Sequence, residues 1–293
     1  REELLSAPSG ISGLKMLETL PGFNVQTDGA LGLYEFGNSV TVRAFNLQQI
    51  GFVLDGIPMG RSDAFGGSPI FRYVDNENLG SVDASPGAGD VSLPSYASLG
   101  PIVSYNTIEP SDTLGGTVSY TLGDDNLQRS FVKFETGEIG GFSAYLSRSK
   151  TDSDLWRGPG TIDREHIEAK AQYAIDEDTM LKATYVANDF FDFDSPSGSR
   201  ATFEAAGFDY GYSEFLPETG CIAPASVDFN ADGVIDENDF VPLQTGSCTF
   251  YFADRVNIRQ DSLYSLSFET DLAPGFYTKA TAYYEDKDGF GVS

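Results

Sequence analysis

The chain has 293 residues, with 18 Lys plus Arg against 44 Asp plus Glu, and a formal net charge of −26. This acidic balance excludes a nucleic-acid partner, because phosphate binding needs clustered cations. No run of about 18 apolar residues occurs, which excludes a helical membrane span but not a barrel, whose strands need only about ten alternating residues.

In chain order, Ile11, Leu14, Leu17 and Leu20 recur every three residues and predict a helical segment within residues 1–20. Ser9 or Ser12 is placed to cap it, and Pro21-Gly22 stops it. Short strands are expected at 22–27 and 39–45, and a third at 51–54 running into an Asp55-Gly56 turn. Residues 60–78 read as irregular, and 79–110 as a Gly/Pro/Ser-rich stretch with one β-prone segment, 102–106. The first region is therefore an α+β unit that ends near Pro110. Arg1 opens in sequence that already looks folded and Ser293 follows a strand, so both ends are expected to be truncations of a longer polypeptide.

From Gly115 the period changes to two. Ile167, Ala169, Ala171, Tyr173 and Ile175 take one face of a strand, and His166, Glu168, Lys170 and Gln172 the other. Seven strands are expected: 115–121, 129–136, 141–149, 165–175, 179–190, 260–270 and 276–286. Their connections alternate. Residues 138–140, 176–178 and 271–275 are tight turns, whereas 150–164 and 191–259 are long. One trim end and one elaborate end is the profile of an outer-membrane barrel with short periplasmic turns and long extracellular loops. A soluble antiparallel sandwich fits the alternation too, but does not usually sort its connections this way. Seven strands are odd in number and leave two edges, so the segment reads as the opening part of a larger barrel.

Several stretches of the first region carry a family resemblance. They are Leu17-Glu18-Thr19-Leu20-Pro21-Gly22-Phe23-Asn24-Val25, Val40-Thr41-Val42-Arg43-Ala44-Phe45 and Ile50-Gly51-Phe52-Val53-Leu54-Asp55-Gly56-Ile57-Pro58. In that order they resemble the plug of TonB-dependent outer-membrane receptors. Gly87-Ala88-Gly89 and the segment Leu99 to Tyr105 resemble the plug's last part. Ala44 stands where the family usually has Gly, and Pro101 replaces one glycine of its usual pair. The resemblance implies a plug over 1–113 and the first part of a transmembrane barrel over 114–293, belonging to a closed barrel of about 22 strands. It further implies TonB-dependent active uptake of a scarce ligand across the bacterial outer membrane. The ligand would be an iron chelate, cobalamin or an oligosaccharide, and the partners a TonB-type energy-transducing complex and outer-membrane lipid. The family's energy-coupling box is expected before Arg1. Pro21, Gly22, Arg43, Asp55 and Gly56 are the plug-motif residues. Arg43 and Asp55 are expected near opposite ends of adjacent plug strands, pairing either with the barrel wall or within the plug.

One local motif stands apart. Asp228, Asn230 and Asp232 supply oxygens at positions 1, 3 and 5 of a loop, Gly233 allows the turn, Val234 offers a carbonyl, and Asp236 and Asp239 follow at 9 and 12. This register suits a structural calcium ion, which takes six to eight oxygens; Asp at 12 makes it dockerin-like. Cys221 and Cys248 flank the motif and suit a disulfide in an oxidising compartment, contributing about 3–4 kcal/mol by the chain-entropy model. The chain is not expected to be an enzyme. His166 is its one histidine and no Gly-x-Ser-x-Gly elbow occurs. His166 reads as a lumen residue and Trp156 as a loop aromatic, each a candidate ligand contact. The competing functional class is a calcium-stabilised surface adhesion or glycan-binding β protein without transport.

Overall fold

The computed structural model describes residues 6–34, 37–59, 69–85, 87, 100–214 and 251–292. Seven strands belong to the N-terminal unit: β1 Phe23–Gln26, β2 Ser39–Val42, β3 Phe45–Asn46, β4 Gly51–Leu54, β5 Ile57–Met59, β6 Leu79–Ser85 and β7 Ile102–Thr107. They form a three-stranded sheet, β1-β2-β3, and a four-stranded sheet, β5-β4-β7-β6, in which β4 and β7 run parallel.

The expected helix is a 3-10 helix over Lys15–Thr19. The three-residue spacing of its leucines is itself the 3-10 period, which stacks Leu14 and Leu17 on one face at 0% exposure. Ser12 Oγ accepts from Lys15 N at 3.1 Å, and Gly22 at φ 85° carries the chain out of the turn. The single strand expected at 39–45 is instead a hairpin that reverses at Arg43-Ala44, with Val42 opposite Phe45. Arg43 sits at φ 54°, and no glycine or Asn-Gly pair announces that turn. Two strands escaped the sequence reading. β6 is mostly polar and small, and β5 carries Pro58, which a sheet edge tolerates.

The remaining strands make one antiparallel sheet in sequence order: β8 Leu114–Leu122, β9 Gln128–Thr136, β10 Phe142–Asp154, β11 Thr161–Ala174, β12 Thr179–Phe193, β13 Val256–Ala273 and β14 Phe276–Val292. A short helix, α1 (Arg200–Ala206), lies in the excursion between β12 and β13. Reversals at 137–141, 175–178 and 274–275 leave one end of the sheet, and 123–127, 155–160 and 194–255 the other. The 150–164 connection is shorter than expected because β10 and β11 stay paired up to Asp154 and Thr161. Outward-facing charges continue that ladder, with Arg148 bonded to Glu165 and Lys150 to Asp163.

Pleating decides what each face carries. Ser143, Ser147, Arg164, His166 and Glu168 point inward and are buried, while Val118, Phe134, Leu146, Tyr264, Leu266 and Tyr284 point outward and are exposed. A sandwich would cover such an apolar face with a second sheet. Here the apolar face is the outer one and the polar face is covered by the N-terminal unit. The main core lies inside that unit, around Leu14, Leu17, Val40, Phe52, Ile70, Val103 and Tyr105, and reaches the wall at Val186 and Leu263.

Candidate functional site

The contact between the N-terminal unit and the wall is built on the segment 69–78, which has two short 3-10 turns, Pro69–Arg72 and Asn76–Asn78. This strap crosses the wall from β13 to β9. Arg72 Nη1 donates to both oxygens of Asp261 on β13, at 3.0 and 2.8 Å, with both side chains 0% exposed. Asp75 accepts from Arg164 of β11 at 2.6 Å and lies 3.3 Å from Arg129 of β9. Arg129 also donates to Glu77 at 2.5 Å. Asn78 Nδ2 donates to Ser147 Oγ at 2.7 Å and to Glu168 Oε2 at 3.1 Å, and Tyr145 completes Glu168 at 2.5 Å.

Burial alone would raise the Asp75 carboxyl. Arg164, His166 and Arg129 outweigh it and hold the group well below the ordinary carboxylate range. Strap and wall carry complementary charge, and a buried ion pair persists only where such partners satisfy it. Apolar contact adds to the seal, where Phe71 meets Phe190 edge to face at 5.9 Å. Within the N-terminal unit, Tyr105 OH donates to Gly13 O at 2.6 Å and ties the 3-10 region to β7.

Nearer the end with the tight reversals the contact is less completely buried, with Asp55 21% and Glu109 51% exposed. Asp55, at φ 49° in the β4–β5 turn, accepts from Thr107 N at 2.8 Å and Thr107 Oγ1 at 2.6 Å. Lys170 of β11 reaches Asp55 at 3.5 Å and Thr107 at 2.9 Å. Asp55 is thus satisfied both within its own unit and from the wall. Arg43 is exposed, in the other small sheet, so these two residues do not lie on adjacent strands.

At the opposite end the loop Asp28 to Tyr34 faces the wall across a crevice lined by Asp28, Leu31, Tyr34, Leu127, Leu155 and Trp156, among others. Tyr34 OH accepts from Ser195 N at 3.1 Å, fastening this loop to the start of the long excursion. Burial raises the Asp28 carboxyl, opposed by Arg157 and by a bond from Trp156. Trp156 is 44% exposed at the rim. Its neighbour Arg157 lies between the Trp156 and Phe203 rings, at 5.6 and 5.3 Å, and donates to Tyr210 O.

His166 is 0% exposed under the strap, with Nε2 3.6 Å from Glu168 Oε2. Pro21 and Gly22 sit exposed before β1, and Gly56 in the β4–β5 turn. Asp228, Asn230, Asp232, Val234, Asp236, Asp239, Cys221 and Cys248 lie outside the described residues. Sequence reading missed the strap, whose residues show neither period. The available signal was on the wall, where Arg129, Arg164 and Asp261 occupy inward positions and a buried charge demands a partner.

Residues 1–100 match the family model of the TonB-dependent receptor plug domain. No curated protein matches the sequence. Among solved structures, the ferric citrate transporter FecA in its unliganded form is similar, with 16% identity and a TM-score of 0.67, covering 96% of this chain and 38% of that one. The FrpB iron transporter from Neisseria meningitidis gives 12% and 0.67, covering 97% and 39%. The siderophore receptor PiuA from Acinetobacter baumannii gives 14% and 0.62, covering 94% and 34%. This chain spans less than two fifths of the length of these receptors.

Proposed function

We propose that this chain, which carries a TonB-dependent receptor plug domain followed by the opening strands of a receptor barrel, serves the active uptake of a scarce ligand across the bacterial outer membrane. The observation that carries this reading is the sheet's reversed polarity. Its outer face carries a band of hydrocarbon and its inner face is charged, and a folded stopper is bonded to that inner face. A lumen wide enough for a bulky ligand would leak without such a stopper. Residues 1–113 form the plug and 114–293 belong to a barrel that closes at about 22 strands. Energy comes from a TonB-type complex acting on the plug, and the ligand enters from the side of the 194–255 excursion. Ferric chelates are the first ligands to test, because the similar structures are named for ferric citrate and siderophores; cobalamin and oligosaccharides are the next. Calcium in the 228–239 loop and a bridge between Cys221 and Cys248 would order the excursion.

The test is genetic. Deleting the gene should abolish growth on one scarce iron, cobalamin or glycan source, with rescue by the full-length gene only when the energy-transducing complex is intact. Unchanged growth and unchanged uptake on every such source would overturn the reading.

A further inference from the structure

The crevice at the end of the long connections has an aliphatic floor and an acidic rim. It encloses about 40 Å³, room for one arm of a ligand rather than its body. Leu31 and Leu33 of the N-terminal unit meet Leu127, Leu155 and Ile162 of the wall beneath it, each 5–9% exposed. Around them stand Asp124 and Asp125 of the β8–β9 turn, Asp154 at the end of β10, and the half-exposed Trp156. Among the described residues no lysine, arginine or histidine lines the crevice, nor the neighbouring pocket that shares Asp125 and Asp154 and adds Glu214. The described loops at this end carry three cations, Arg157, Arg200 and Arg255, and each is engaged. Arg157 lies between two rings, Arg200 bonds Glu204 at 2.7 Å, and Arg255 stands over the Tyr212 ring at 5.5 Å. Asp28 is answered by Arg157 and Trp156, so the field in the crevice comes from Asp124, Asp125 and Asp154.

A cleft with one sign of charge above apolar walls concentrates ions of the opposite sign. A lysine-like arm suits both parts at once, laying its methylenes on the aliphatic floor and keeping its ammonium at the wet rim. A carboxylate-bearing arm would meet three like charges and no cation. A sugar hydroxyl would find no partner on that floor. We propose that this crevice takes an aminoalkyl arm of the imported ligand, an aliphatic chain ending in a protonated amine, and that Asp124, Asp125 and Asp154 turn anionic arms away. The inference rests on the receptor reading and narrows it. Among ferric chelates, one bearing a free primary amine is favoured over one whose outer groups are carboxylates, such as ferric citrate.

Single cysteines in the full-length protein, in a C221S/C248S background, test it. Ser153→Cys and Ser195→Cys line the crevice, and Phe208→Cys, at a position 81% exposed, is the reference. Each is reacted with a cationic aminoethyl and an anionic sulfonatoethyl methanethiosulfonate. The cation-to-anion rate ratio in the crevice should exceed the reference ratio by about tenfold or more, and Asp124→Asn with Asp154→Asn should bring it within about threefold. Hexylammonium should slow labelling of the crevice thiols, and hexanoate of the same chain length should not. Equal ratios, a preference for the anion, no reaction in the crevice, or protection by hexanoate would overturn the inference and leave the receptor reading standing. That reading is checked separately. Phe208→Cys should react with a polyethylene-glycol maleimide on intact cells, and labelling only after the outer membrane is permeabilised would overturn it, whatever the charge ratio.

Discussion

Removing one partner of the Arg72–Asp261 pair should loosen the strap far more than removing both. The two bonds, at 3.0 and 2.8 Å, join side chains that are 0% exposed. Asp261→Asn leaves a guanidinium in a dry site with a neutral acceptor, and breaking a buried pair this way costs about 3–5 kcal/mol. At about 1.4 kcal/mol per tenfold, the strap should open roughly 10²- to 4×10³-fold more often. Arg72→Met with Asp261→Leu replaces both charges by hydrocarbon of similar length and should recover most of that loss. The assay is hydrogen exchange of the amides of residues 69–79 in the detergent-solubilised full-length protein, with the β11–β12 amides as internal reference. A change below about 1 kcal/mol in the single variant would show that the pair is solvated. A double variant as poorly protected as the sum of the singles would show that the charges are worth more than their burial costs. Either outcome refutes the reasoning.

The same exchange measurement serves other positions. Gly10 has φ 82°, and a Cβ there would stand 2.2 Å from Arg129 Nε, so Gly10→Ala should destabilise the strap's neighbourhood by about 1–3 kcal/mol. No detectable loss would mean that Arg129 moves freely. Lys182→Ala removes two partly solvated pairs, with Glu109 and Glu269, and should cost no more than about 1 kcal/mol, and a larger loss would show that these pairs are effectively buried. Asp75 has a depressed carboxyl, so its contribution is present above the unfolded value near 3.8 and is lost as pH falls below it. Strap protection should therefore hold from pH 7 to pH 5 and decline below about pH 4; a decline already near pH 6 would place the sensitive group elsewhere. Chelating calcium should raise proteolysis within 221–248 while the barrel stays resistant, and equal cleavage with and without the ion would remove calcium from the account.

The wall was legible because a half-wet sheet writes its faces as a period of two. His166 to Ile175 shows both faces in one line of sequence, and the burial of β11 alternates from Thr161 to Lys170. Strand ends were less legible, because outward charges such as Arg148, Lys150 and Glu165 look like loop residues until their cross-strand partners are known. The 3-10 helix was visible as a spacing of three and was assigned only as helical. The strap left no periodic trace. Its residues answer to Arg129, Arg164 and Asp261, which lie 52 to 189 positions away in the chain. Such long-range electrostatic matching appears only once the wall has brought those side chains together.

The account stands or falls on which end of the sheet faces the cell exterior. An epitope inserted in the 194–255 excursion should bind antibody on intact cells, while one inserted between Glu177 and Asp178 should bind only after the outer membrane is permeabilised. Antibody binding to the Glu177–Asp178 insertion on intact cells, or to neither insertion until the envelope is opened, would contradict it.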